Sequence, residues 1–130
     1  MSTGGGIAFT PESRAVMLEA LFASVGLFPR GPVPWNIDLP EDGPGVYVIV
    51  SDGEVVYIGQ ATRSLARRLR EFYRQQYGAK SPHRGEQDIL GLTTPLAVYW
   101  ASTNDPRGAA AEMLHWYSRR FGQLPLGNRK

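Results

Sequence analysis

The sequence contains no cysteine. That absence removes disulfide frameworks, zinc knuckles, iron–sulfur clusters and thiol nucleophiles, so stability rests on packing and any metal has to sit on carboxylate, imidazole or water. No apolar run approaches the roughly 18 residues that cross a bilayer. The opening Met1-Ser2-Thr3-Gly4-Gly5-Gly6 lacks the basic and apolar regions of a secretory signal. A soluble, cytoplasmic protein with no membrane partner is the expectation. There is no Walker loop, no Gly-x-Ser-x-Gly elbow and no His-Glu-x-x-His, which disfavours nucleotide hydrolysis, esterase and zinc protease chemistry. With 130 residues, 42% of them apolar, the chain can build one domain with a real core and not two.

Lysine is scarce as well. Twelve of the 14 cations are arginine, the residue whose planar fork suits phosphate. The formal charge is only +2, but it is unevenly spread. Residues 1–62 hold two arginines against seven carboxylates, and residues 63–130 hold twelve basic against five acidic groups. Such a split suggests a polyanion met by the C-terminal half. A GC-rich genome would produce the same arginine usage.

Thr10-Pro11-Glu12 reads as a helix start, and Leu18, Leu21, Phe22 and Val25 at i, i+3, i+4 and i+7 define an amphipathic helix over 11–25 that ends at Gly26. Residues 29–45, with Pro29, Pro32, Pro34, Pro40 and Pro44 and alternating Trp35, Ile37 and Leu39, read as an extended connector or edge strand. The runs 46–50 and 54–58 meet at Ser51-Asp52-Gly53, the strongest short hairpin signal, and Gly59 is expected to stop the second strand. Ser64 caps a helix over 65–77 that Gly78 terminates, and 78–94 reads as loop with one turn of helix. A third strand over 96–100 and a helix from Asp105-Pro106 to Phe121 complete an α+β pattern. The expected fold is a small, mainly antiparallel three-stranded sheet flanked by helices. Residues 1–42, an extra N-terminal helix and Pro-rich connector, pack on a core domain of 43–130.

On the helix after Ser64, Arg63, Arg67, Arg70 and Arg74 form one solvent stripe, opposite Leu65, Leu69, Phe72 and Gln76. Arg68 falls roughly 120° from that stripe, at the border of the apolar side. The stripe suits phosphate-backbone contact as well as it suits a plain solvated face. An arginine bordering a core needs a partner, so Arg68 is the better site candidate. Tyr47 and Tyr57 are neighbours on one face of the hairpin, a common packing arrangement in itself. Glu112 follows Ala109-Ala110-Ala111, small residues that leave room for a ligand, although a surface glutamate on a good helix former is the ordinary reading. His115 makes a single Glu-x-x-His with Glu112, whereas a di-iron carboxylate site needs two. His83 is as readily a solvated loop residue as a nucleic-acid contact.

Taken together, Gly45-Val46-Tyr47, nine intervening residues and Tyr57-Ile58-Gly59 resemble the GIY-YIG nuclease module. Leu65-Ala66-Arg67-Arg68-Leu69, then a strand, Glu112 on a helix, and Pro125-Leu126-Gly127-Asn128 follow in the order that those nucleases use, and the resemblance covers residues 43–128. It implies a metal-dependent endonuclease acting on DNA. Tyr57 or Tyr47 would activate or position the attacking water, Arg68 would hold the scissile phosphate, Glu112 would bind one Mg²⁺ or Mn²⁺, and Asn128 would buttress the site. Arg63, Arg67, Arg70 and Arg74 would contact nucleic acid. Phosphodiester hydrolysis needs charge neutralised on the phosphoryl oxygens and a proton taken from water, which these groups supply. Many members carry His or Tyr where this chain has Phe72, beside Tyr73, and Lys where it has Gln60. Two alternatives stand beside the nuclease: a catalytically lapsed domain that binds nucleic acid or protein, and a protein-interaction domain using Trp35, Trp100 and Trp116. The short N-terminal segment implies that sequence specificity comes from a partner protein or is low.

Overall fold

The structure is a computed structural model that describes residues 11–34, 39, 42–75 and 96–129. Trp35, the loop with His83, and the side chains of Phe72, Tyr73 and Arg74 lie outside the described residues. In chain order the elements are helix α1 (Pro11–Ala23), strands β1 (Arg30–Pro34), β2 (Gly45–Ser51) and β3 (Glu54–Ala61), helix α2 (Leu65–Gln75), strand β4 (Leu96–Ser102), helix α3 (Pro106–Phe121) and a 3-10 turn (Leu126–Asn128). The strands form one antiparallel sheet in the order β1-β4-β2-β3.

The sheet has four strands, not the three expected. The added one is β1, drawn from the Pro-rich connector and paired with β4. Proline lacks the N–H that an interior strand needs, so Pro32 and Pro34 are tolerated at an edge, and the edge-strand alternative for the connector is the one the structure takes. The β2–β3 hairpin forms as expected. Asp52 at φ 51° and Gly53 at φ 78° give the two left-handed central residues that a tight two-residue turn requires.

Alternation along β2 sorts the core into two layers. Val46, Val48 and Val50 face α1 and α3, where they meet Leu18, Leu21, Phe22, Ala109, Ala110 and Met113. Tyr47 and Ile49 face the other side, where Leu65 and Leu69 of α2 cover them. The N-terminal helix therefore belongs to the same core as the rest. In β3, Val50 pairs with Val55 but Ile49 pairs with Tyr57. The extra residue is a bulge, and it turns both Val56 and Tyr57 to the α2 side.

The two motif glycines have packing reasons. A Cβ on Gly45 would meet the carbonyl oxygen of Ala101 and the side chain of Leu65, so glycine lets the start of α2 settle on β2. A Cβ on Gly59 would sit on the Tyr47 ring, which lies directly across the ladder from it. Gly59 consequently does not stop β3, which runs on to Ala61. It is the floor on which a buried tyrosine rests.

Helix α3 starts where Asp105-Pro106 said it would. Asp105 Oδ1 accepts from Gly108 N–H at 3.0 Å, and Gly122 at φ 78° closes the other end. No helix among the described residues is long and apolar enough to cross a membrane.

Candidate functional site

A cleft of about 770 Å³ opens beside β3, the edge strand, between α2 on one face of the sheet and α3 on the other. Its size lies within the range of ligand-binding clefts. Its floor and near wall come from Tyr57 to Ser64, where β3 hands over to α2, and its far wall comes from the first half of α3.

Helix α2 places its arginines as the angular argument requires. Leu65 and Leu69 are buried, Arg63, Arg67 and Arg70 are exposed, and Arg68 is half-buried between the two classes. Arg63, Arg67 and Arg68 all reach the cleft. Arg67 also pairs with Glu71 one turn on, Nε to Oε1 at 3.7 Å, and both are so exposed that the pair adds little stability. Arg70 lines a smaller neighbouring groove with Asp42 rather than the cleft itself.

The tyrosines divide into one that is accessible and one that is not. Their rings lie 6.0 Å apart between centroids, as diagonal neighbours on adjacent strands. Tyr57 is half-buried and lines the cleft, whereas Tyr47 is fully buried beneath α2. Of the two phenols only Tyr57 is placed to touch a ligand there.

Asn128 reaches β3 from the opposite end of the chain. Its Oδ1 accepts from Ile58 N–H at 2.9 Å and its Nδ2 donates to the Ile58 carbonyl at 2.9 Å. The amide thus imitates one rung of a missing strand on the sheet edge, next to Tyr57 and Gly59, and holds the cleft floor in place. Asn128→Ala is expected to leave both Ile58 groups without this partner and to lower stability by about 1–3 kcal/mol. Asn128→Asp, which keeps the acceptor but loses the donor, should not restore it. Denaturant unfolding of the three proteins is the check.

The N-terminus of α2 is already occupied by an anion of this chain. Asp42 accepts from Gly43 N–H at 2.7 Å and from the Ser64 hydroxyl at 2.5 Å, and Ser64 Oγ in turn accepts from Arg67 N–H at 3.0 Å. Led by the Ser64 hydrogen bond, these contacts hold the Asp42 carboxyl below its ordinary value of 3.8. A depressed carboxyl stabilises the fold above its unfolded value, and that contribution is lost as pH falls through the folded one. Asp42→Asn should therefore be less stable than the parent chain at neutral pH, and the difference should vanish on acidification below about pH 4. Thermal melts of both proteins across that range decide it.

Glu112 is not brought to the cleft. It is exposed, while Arg107, Ala110, Ala111 and Leu114 form the α3 wall. At about 100° per residue, Glu112 lies a quarter-turn or more past Ala111, the nearest of these. Among the described residues there is no group of three or more His, Asp or Glu able to hold a metal. The cleft's own carboxylate, Glu71, is engaged with Arg67. Among the described residues, Glu71 is thus the carboxylate that shares the cleft with Arg63, Arg67, Arg68 and Arg107. His115 is exposed on the same helix.

Arg107 and Glu71 are the charged cleft residues that sequence reasoning missed. With alanine at 109, 110 and 111, no local signal marks the side of α3 that carries Arg107. Of the three tryptophans, Trp35 lies outside the described residues. Trp100 is buried because β4 is an interior strand, and Trp116 is half-buried under the Arg120 guanidinium, 5.4 Å from its ring centre.

Comparison with protein-family models, curated proteins and solved structures finds no match. The likeness to GIY-YIG nucleases therefore rests on the residues themselves and their order along the chain.

Proposed function

We propose that the chain binds the phosphodiester backbone of DNA in the cleft beside β3, on a fold resembling the GIY-YIG module. One observation carries this reading: Arg63 just before α2, Arg67 and Arg68 on α2 and Arg107 on α3 line a single cleft against, among the described residues, one carboxylate, Glu71. Guanidinium forks pair with phosphate oxygens through two parallel hydrogen bonds, and clustered arginines raise the local concentration of a polyanion. The excess of basic groups in residues 63–130 points the same way. Tyr57 adds an aromatic ring at the cleft floor on which a base or sugar can rest.

A second reading is hydrolysis of the bound strand, and it is favoured by Tyr57 and Arg68 sharing the cleft wall. Arg68 would neutralise charge developing on the phosphoryl oxygens, and the Tyr57 phenol would orient the attacking water. Asn128 would act through the strand, fixing Ile58 and with it the adjacent Tyr57.

The two readings separate in one experiment on the purified chain. Fluorescence anisotropy with a labelled DNA duplex should show binding that weakens as salt rises, with a log–log slope of about −3 to −4 for four phosphate contacts. No binding at low salt overturns the proposal. Supercoiled plasmid incubated in parallel with Mg²⁺ or Mn²⁺ reads hydrolysis: nicking that Arg68→Ala removes would establish the second reading, and Glu112→Gln in the same assay reports whether that carboxylate takes part.

A further inference from the structure

Resting on the phosphate-binding reading, we infer that the cleft neutralises its ligand with guanidinium groups from two helices and takes no divalent metal, Arg107 being the cation that α3 supplies. The far wall of the cleft decides the point. Arg107, Ala110, Ala111 and Leu114 are three or four residues apart and share one side of α3. That side offers a positive charge and three apolar side chains. The helix has a single carboxylate, Glu112, and it is exposed away from this wall. On the near wall, among the described residues, the one carboxylate is Glu71, which has Arg67 3.7 Å away.

The electrostatics follow from this lining. Mg²⁺ is held through one or two carboxylates together with phosphate oxygens and water, and it keeps most of its hydration. A cleft ringed by Arg63, Arg67, Arg68 and Arg107 repels a second cation while it attracts the phosphate itself. The role that a carboxylate-bound metal would fill, placing positive charge against the phosphoryl oxygens from the α3 side, falls to a guanidinium. Arg107 is exposed and in the first turn of α3, so it can be exchanged without disturbing the core.

The test is DNA binding by anisotropy at matched ionic strength, with EDTA in one buffer and Mg²⁺ in the other. The expected result is one affinity in both buffers and a roughly tenfold loss for Arg107→Ala, as for one charged hydrogen-bonding contact. The salt slope should fall by about one unit in that variant. Ala111→Glu, which puts a carboxylate on the α3 wall, should bind less tightly in EDTA and regain affinity with Mg²⁺. Binding by the parent chain that requires Mg²⁺, whether or not Glu112→Gln abolishes it, would overturn the inference while leaving the phosphate reading in place. Binding unaffected by Arg107→Ala would also overturn it. Failure to bind in either buffer would remove the phosphate reading, and the inference with it.

Discussion

Alanine at Arg63, Arg67, Arg68 and Arg107 together is expected to abolish DNA binding at physiological salt while the chain remains folded. Each phosphate contact contributes about 0.9 to the log–log salt slope, so four contacts set a slope near −3.6 that should collapse toward zero in the quadruple variant. Three of the four side chains are exposed and Arg68 is only half-buried, so the core has little stake in them. Within the set, Arg68 should have the largest single effect and Arg67 the smallest. Arg68 is the most enclosed, and its hydrogen bonds compete least with water. Arg67 already has Glu71 as a partner. Anisotropy titrations of the single and quadruple variants at several salt concentrations read all of this. A quadruple variant that binds as the parent chain does would place the contact surface elsewhere.

The second large effect is structural. Gly59→Val should destabilise the fold by about 3 kcal/mol or more, since the new side chain must occupy the space of the Tyr47 ring in a close-packed layer. For a domain of this size that corresponds to a fall in Tm on the order of 10 °C. The cause is specific and can be tested as a pair. Gly59→Ala combined with Tyr47→Leu should lose less than the two single changes added together, because the smaller side chain at 47 makes room for the Cβ at 59. Additive losses would mean that Gly59 is needed for backbone reasons and not for the ring.

Some parts of this molecule could be read from the sequence and others could not, for identifiable reasons. The hairpin was legible because Asp-Gly between two β-branched runs leaves one economical solution. The register of α2 was legible because Leu65, Leu69 and the arginines differ sharply in polarity, which fixes the angle of Arg68 to within a residue. Asn128 pointed to the site through the order of motifs, though not to its two hydrogen bonds with Ile58. Strand β1 was legible only as an alternative to a connector, because its prolines are compatible with an edge and typical of a connector, and the expected strand count omits it. The orientation of Glu112 was not legible for a different reason. Alanines at 109, 110 and 111 give nearly equal hydrophobic signal all round that turn, so nothing local says which of them faces the cleft. Gly59 was misjudged because its constraint comes from a ring on the neighbouring strand, twelve positions away.

The most direct test of a phosphate-binding cleft beside β3 is residue-resolved. Titration of the ¹⁵N-labelled chain with a short DNA duplex should shift backbone amides from Tyr57 to Arg68 and from Arg107 to Leu114, with α1 and β1 unmoved. Shifts centred instead on exposed Val16 and Phe28, or spread evenly over the surface, would contradict it.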